Sequence, residues 1–250
     1  MTDFPPAMLD AVRSARHVVA LTGAGVSAES GVPTFRDAQT GLWAKYDPME
    51  LATPEAFARD PALVSRWYDE RRQMRLTTQP NPGHHALVRW EALQRAGGES
   101  FTLLTQNVDR LHHAAGSVNV VELHGSLMVW RCTACGEERE ELGPAFQQHP
   151  PRCGTCGGTR RPGVVWFGEA LPGQALEAAF DALRRCDLFL TIGTSAVVHP
   201  AASFLHDAAE HGAATIEINR DHTPASDVVG WTLRAKSGEA LPAMLDAAFG

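Results

Sequence analysis

The sequence has 250 residues, 44% of them hydrophobic and 20% charged, enough for one globular protein with a sizeable core and a smaller attached domain. It holds no uninterrupted apolar run of roughly 18 residues, which excludes a membrane-spanning helix. The formal net charge of −7 argues against a primary nucleic-acid binder, which would carry a basic excess or stripe. The opening Met1-Thr2-Asp3-Phe4-Pro5-Pro6 has neither the basic start nor the apolar run of a signal peptide, so the expected location is cytoplasmic.

Ala7 to Arg16 reads as a short amphipathic helix with Met8, Leu9 and Val12 on one side. His17 to Leu21 is a continuous apolar run, the pattern of a strand buried on both faces. Gly23-Ala24-Gly25 ends it, and small residues follow, the opening of a nucleotide-binding βα unit. Residues 41–82 hold helical pieces and prolines but no good strand. His84 to Ala96 places Leu87, Trp90 and Leu93 near one another and stops at Gly97-Gly98. Strand-like runs recur at Phe101 to Thr105, Val120 to Leu123, Leu188 to Ile192 and Ala214 to Ile218. Leu176, Phe180 and Leu183 form a helical stripe, and Pro200 to His211 fits a further helix.

Strands alternating with helices predict an α/β fold, a Rossmann-like parallel sheet with helices on both faces. Two stretches break the rhythm as insertions. Residues 1–40, 83–125 and 163–250 are expected to form the large nucleotide-binding domain. Residues 41–82 are a helical insertion, and 126–162 a metal-binding module, both in the small domain.

Cys132 and Cys135, then Cys153 and Cys156, make two C-x-x-C pairs separated by 17 residues. Each pair clamps one edge of a tetrahedral ion, and four thiolates without an open position mark a structural zinc site rather than a catalytic one. A redox pair fits this spacing less well. Metal would help fold residues 126–162, which have few apolar residues for a core of their own. Cys186 stands alone and is expected to be a buried structural thiol.

Gly23 to Ala28 fits the G-x-G-x-x-G/A fingerprint, a pattern that ordinary turns also produce. The acidic residue expected at the end of a second strand is missing, since Lys45-Tyr46-Asp47-Pro48 is not strand-like, which disfavours a plain dehydrogenase. The longer string from Gly23 to Arg36 resembles the N-terminal signature of the sirtuins. So do Thr105 to His112, Glu122 to Ser126, and Gly193-Thr194-Ser195. The cysteines fall between the third and fourth of these blocks, and the match runs in order along essentially the whole chain.

That resemblance implies an NAD-consuming protein-lysine deacylase, with NAD as co-substrate and one structural zinc per chain. Gly23, Ala24, Gly25, Phe35 and Arg36 would line the cofactor pocket, the glycines letting backbone approach the pyrophosphate. Gln106, Asn107 and Asp109 follow a strand's C-terminal end, where open α/β sheets place ligands. On residue type alone they would be a polar turn; in sirtuins the matching residues form the nicotinamide pocket, with Asn107 and Asp109 the choices for its carboxamide. Gly193, Thr194 and Ser195 match a second cofactor contact, Asn219 the adenosine-ribose contact and Ser237 the adenine contact. His124 is one of 11 histidines and gains its expected role as catalytic base, with Asn107 beside it, from its place in the family's H-G motif. Val165, Phe167 and Gly168, with Val197 to Pro200, look like the backbone edges that hold a substrate peptide as an added strand. The family often has an aromatic residue where His199 stands.

Tyr68 and Arg71 are three apart in a helical stretch and face one side of it. A generic helix would leave them a half-buried tyrosine and an exposed arginine. Their placement resembles the sirtuins that remove acidic acyl groups, an arginine fork and a phenol suiting the carboxylate of a succinyl or malonyl chain. The expected partners are acylated lysines of cytosolic proteins. Two other readings stay open: mono-ADP-ribosyl transfer on the same fold, and a catalytically idle zinc-ribbon adaptor or NAD sensor. The intact His124 and Asn107-Val108-Asp109 weigh against the second.

Overall fold

The computed structural model describes residues 4–33 and 48–250; Phe35 and Arg36 lie outside the described residues. Along the chain the strands are β1 (His17–Thr22), β2 (Ser100–Thr105), β3 (Val120–Glu122), β4 (Gly125–Cys132), β5 (Glu138–Glu140), β6 (Arg160–Val164), β7 (Leu188–Ile192), β8 (Ala214–Ile218) and β9 (Trp231–Leu233). The helices are α1 (Pro6–Ser14), α2 (Ala24–Ala28), α3 (Pro48–Leu51), α4 (Pro54–Arg59), α5 (Pro61–Thr77), α6 (Pro82–Ala96), α7 (Leu111–Ala115), α8 (Gly173–Leu183), α9 (Phe204–Glu210) and α10 (Ser237–Phe249).

Six strands form one parallel sheet in the order β3-β2-β1-β7-β8-β9. Side chains alternate across a strand, and β1 sorts its apolar residues accordingly. Val18 and Ala20 join a core with Met8, Val12, Leu87, Trp90, Leu241 and Met244 on one face. Val19 and Leu21 join Ala179, Leu183, Phe204 and Leu205 on the other. Helices α1, α6 and α10 thus cover one face, and α8 and α9 the opposite one. This double burial is why the strands read as uninterrupted apolar runs.

The chain leaves β1 toward β2 and β3, then returns to the other side of β1 for β7, β8 and β9. The strand order therefore reverses at β1 and β7, and a crevice opens beyond their C-terminal ends. Helix boundaries follow local chemistry. The Asp60 side chain accepts the Leu63 amide at 2.9 Å to start α5 behind Pro61. Asn81 and His84 cap α6 reciprocally behind Pro82.

A second, antiparallel sheet has the order β5-β4-β6. Leu127 and Trp130 of β4 pack with Val164, Trp166, Val64, Trp67 and Tyr68 in one buried cluster. Residues 126–162, which have few apolar residues of their own, accordingly share a core with α5 of the helical insertion. Two helical stripes also differ from expectation. Phe180 stays 39% exposed and Leu93 38% exposed, because Ala179 and Ala182 lie deeper on α8 and Gln94 turns inward on α6. No helix among the described residues is long and apolar enough to cross a membrane.

Candidate active site

At the reversal point two glycine turns meet. The Gly23 amide donates to the Ile192 carbonyl at 3.0 Å, and the Gly25 amide to the Gly193 carbonyl at 2.8 Å. A Cβ on Gly25 would stand 2.8 Å from the Gly193 Cα, and Gly193 itself has φ of +59°. Side chains are excluded here by the approach of one turn to the other, before any ligand is considered. The turns form the floor of a cleft of about 1040 Å³. Every predicted site residue among those described, the cysteines and Pro200 apart, lines it.

Gln106 and Asn107 follow β2, and His124 follows β3. The Gln106 side-chain amide donates to Thr194 Oγ1 at 2.8 Å, linking the two halves of the sheet. The Asn107 side-chain amide donates to the Gly23 carbonyl at 3.0 Å and to Ser27 Oγ at 3.1 Å. Asp109 is 4% exposed. Burial pushes its carboxyl above the usual range, opposed by the Leu111 amide, the Ser27 hydroxyl and the charges of Arg75 and Arg71. His124 Nδ1 lies 2.9 Å from the Gln106 carbonyl. A carbonyl only accepts, so Nδ1 carries the hydrogen and Nε2 the lone pair. Burial lowers the ring's pKa, offset in part by that hydrogen bond, so the neutral, basic form prevails near pH 7.

On the far side, the Asn219 amide donates to the Thr194 carbonyl at 2.7 Å, and Ser195 lines the cleft beside it. Ser237 is buried, and its hydroxyl donates to Glu29 Oε1 at 2.9 Å. The Gly238 amide holds the same oxygen at 2.9 Å. Ser237 thereby ties α10 to the end of α2, a role its sequence position did not announce.

Tyr68 and Arg71 enter the cleft from α5. The Trp166 indole N–H donates to the Tyr68 hydroxyl at 3.0 Å, and burial pushes that phenol up to about 12. Trp67 meets the Tyr68 ring edge-on at 4.6 Å. The Arg71 guanidinium lies 4.6 Å from the Trp67 ring centroid, and burial lowers its pKa against the pull of Tyr68 and Asp109. An arginine stays charged through such a shift. The cleft end therefore holds a cation beside the Trp67 indole and a neutral phenol that accepts from the Trp166 indole. Val165, Phe167 and Gly168 form the adjacent edge, where the Val165 amide donates to the His124 carbonyl and the Phe167 amide to that of Ala52, both at 2.9 Å. Val197, Val198 and His199 are exposed along the opposite edge.

The four cysteines gather at the tip of the second sheet, with their sulfurs all within 4.8 Å of one another. Cys132 and Cys156 sulfurs are 3.5 Å apart, and those of Cys135 and Cys153 3.8 Å. A tetrahedron of thiolates around zinc has edges of about 3.8 Å, so the residues fit one ion. Cys186 is buried, its thiol pushed up to about 12 by desolvation, as expected for an inert core cysteine.

Four residues of the site were given no individual role by the sequence reading: Ser27 and Glu29 within the Gly23 to Arg36 string, Trp166 on the peptide edge, and Arg75. Arg75 alone left a usable signal, being four residues beyond Arg71 on one helix face.

Residues 23–200 match the Sir2 family. An NAD-dependent protein deacylase of Aquifex aeolicus is 48% identical over 92% of this chain and 94% of its own length. A solved Sir2 homolog–NAD complex superposes with a TM-score of 0.91 at 45% identity, covering 99% of this chain and 94% of that one. A structure described as Sir2 bound to acetylated peptide gives 0.83 at 28% identity, covering 96% and 97%. The glycine turns, the cleft and the cysteine cluster thus sit in a fold shared from end to end, and the chain belongs to the Sir2 family.

Proposed function

We propose that the chain is an NAD-dependent protein-lysine deacylase that favours acidic acyl groups, succinyl and malonyl, and also admits acetyl. The observation that carries the acyl preference is the Tyr68–Arg71 pair, which faces the same cleft as His124. An arginine fork beside a neutral phenol matches a terminal carboxylate, whereas an acetyl group would leave that charge without use.

NAD, when bound, would supply the ribose carbon that receives the acyl oxygen as nicotinamide leaves, and with one water consumed to free the amine the products are nicotinamide, 2′-O-acyl-ADP-ribose and free lysine. Asn107 and Asp109 hold the carboxamide, their side chains fixed by Gly23, Ser27 and Leu111. His124 keeps a basic Nε2 for the ribose hydroxyl proton, its ring oriented by the Gln106 carbonyl. Thr194, Ser195, Asn219 and Ser237 border the adenosine half. Phe35 and Arg36 complete the cofactor side on their signature match alone. Val165, Phe167 and Gly168 supply one edge for the peptide. The substrates are acylated lysines on cytoplasmic proteins.

The test compares turnover of succinyl-lysine and acetyl-lysine peptides before and after Arg71→Met, reading nicotinamide and acyl-ADP-ribose by mass. Succinyl turnover should fall at least about tenfold, the worth of one charge-assisted pair, with acetyl turnover retained. An unchanged preference would sink the assignment.

A further inference from the structure

Helix α5 presents a third residue to the cleft besides Tyr68 and Arg71. Arg75 lies seven residues beyond Tyr68, two turns along the same face, and lines the cleft half-buried. Its Nε donates to the Asp109 carbonyl and its Nη2 to the Arg110 carbonyl at 3.2 Å. A weaker contact of 3.4 Å reaches the Thr78 carbonyl at the end of its own helix. The turn that it grips is unusual, because Arg110 has φ of 58° and ψ of 25°, a left-handed conformation that a non-glycine residue holds only when its surroundings enforce it.

That turn places Asp109. The carboxylate is buried, with one oxygen 2.8 Å from the Leu111 amide just past the strained residue. Arg75 also contributes positive potential to it, alongside Arg71. The Arg75 guanidinium therefore acts on both the backbone that aims the carboxylate and the charge that it carries. Arg110 does not share this work, since its own side chain turns away to Glu122 and Glu140.

We infer that Arg75 is a positioning residue for the nicotinamide end of the cleft, fixing the Asp109–Arg110 turn from the acyl-recognition helix so that the Asp109 carboxylate meets the carboxamide. This rests on the reading of Asp109 given above. It makes α5 a single rigid element that touches both the acyl chain, through Arg71, and the leaving group, through Arg75. A displaced turn weakens binding of nicotinamide and of the nicotinamide half of NAD, and leaves the peptide edges untouched.

The experiment measures inhibition by added nicotinamide, KM for NAD, KM for peptide and melting temperature in Arg75→Met, Arg75→Lys and Asp109→Asn. For Arg75→Met the half-inhibitory nicotinamide concentration should rise about tenfold, the worth of one hydrogen bond to a charged group. KM for NAD should rise with it, and KM for peptide should stay within about twofold. Arg75→Lys, which keeps the charge but not the two-carbonyl fork, should give a smaller shift of the same sign. If Arg75→Met does not fold, that smaller shift carries the test. Nicotinamide inhibition unchanged in a folded Arg75 variant, or an effect confined to KM for peptide, overturns the inference. If Asp109→Asn leaves nicotinamide inhibition unchanged, the assignment of Asp109 itself falls, and the role of Arg75 with it.

Discussion

His124 donates through Nδ1 to the Gln106 carbonyl at 2.9 Å, so one backbone oxygen sets both the tautomer and the orientation of the ring. Gln106 in turn is tied by its side chain to Thr194 across the sheet. The ring is thus aligned by the same segment that closes the cleft floor, and its remaining nitrogen is the basic one.

The first prediction is a pH profile. Burial lowers the His124 pKa below the ordinary imidazole value of 6.5. A base works only when deprotonated, so kcat/KM should rise with pH through the lowered value and be flat by pH 7. A general base contributes roughly 10²–10⁴-fold, and His124→Ala should lose deacylation by about that factor at unchanged melting temperature. An acid limb centred above 6.5 would contradict the assignment.

A second pH effect concerns stability, through two histidines outside the chemistry. His84 and His112 are fully buried with ring centroids 4.8 Å apart. His112 Nε2 pairs with the Thr22 hydroxyl at 2.9 Å, and His84 Nδ1 faces the Asn81 amide at 3.3 Å. Burial, with a smaller push from His85 and Arg75, lowers His84 to about 4; burial, then His84, takes His112 well below its usual value. Both pKa values are depressed in the fold, so the unfolded chain binds protons first as pH falls. The stability that they supply is complete above about pH 6.5 and drains away toward pH 4, an order of 3 kcal/mol for His84 alone. Melting temperature should fall steeply from pH 7 to pH 5, and less steeply in His112→Gln. Equal slopes in both proteins would exclude the pair as the cause.

Much of this arrangement was readable from the sequence because the physics was local or repetitive. Strands buried on both faces must be continuously apolar, and Leu188 to Ile192 is fully buried along its length. Two C-x-x-C pairs announce their ion without tertiary knowledge. What could not be read depends on contacts between distant segments. The Asn107 amide meets the Gly23 carbonyl 84 residues away, and Ser237 meets Glu29 across 208. Phe180 is 39% exposed, yet its ring meets the buried Phe204 edge-on at 5.7 Å, a contact between α8 and α9 that no spacing rule within α8 reveals.

The cysteine cluster yields a third prediction. Two of the four cysteines, Cys135 and Cys156, are exposed, so core burial covers only half of the cluster and a bound metal is expected to hold the loops at residues 132–136 and 153–158 together. Denatured protein should release one zinc per chain to a colorimetric chelator. Cys135→Ser should lower zinc content and melting temperature together, and protect the amides of β4 and β6 less in hydrogen exchange. Full stability without bound metal would refute this.

The last prediction separates the two faces of α5. Tyr68, Arg71 and Arg75 face the cleft, while Asp69 and Arg72 face the second sheet. Arg72 is fully buried, pairs with Asp69 at 2.6 Å and donates to the carbonyls of Glu141, Gly143 and Pro144, each at 2.8 Å. Asp69 accepts from the Phe146 amide at 2.8 Å and from His149 Nε2 at 3.0 Å. This knot fastens the loop between β5 and the second cysteine pair onto α5, and so fixes the helix that carries Tyr68 and Arg71. Removing Arg72 leaves the buried Asp69 carboxylate without its cation and three part-buried carbonyls without their donor, a loss of about 3–5 kcal/mol. Arg72→Met should therefore destabilise the fold by that amount in urea unfolding. Its surviving folded fraction should keep the parent ratio of succinyl to acetyl turnover, since Arg72 does not line the cleft. Arg71→Met should do the reverse, changing the ratio with little loss of stability. Two adjacent arginines on one helix thus offer opposite signatures, and the assignment of faces fails if both variants behave alike.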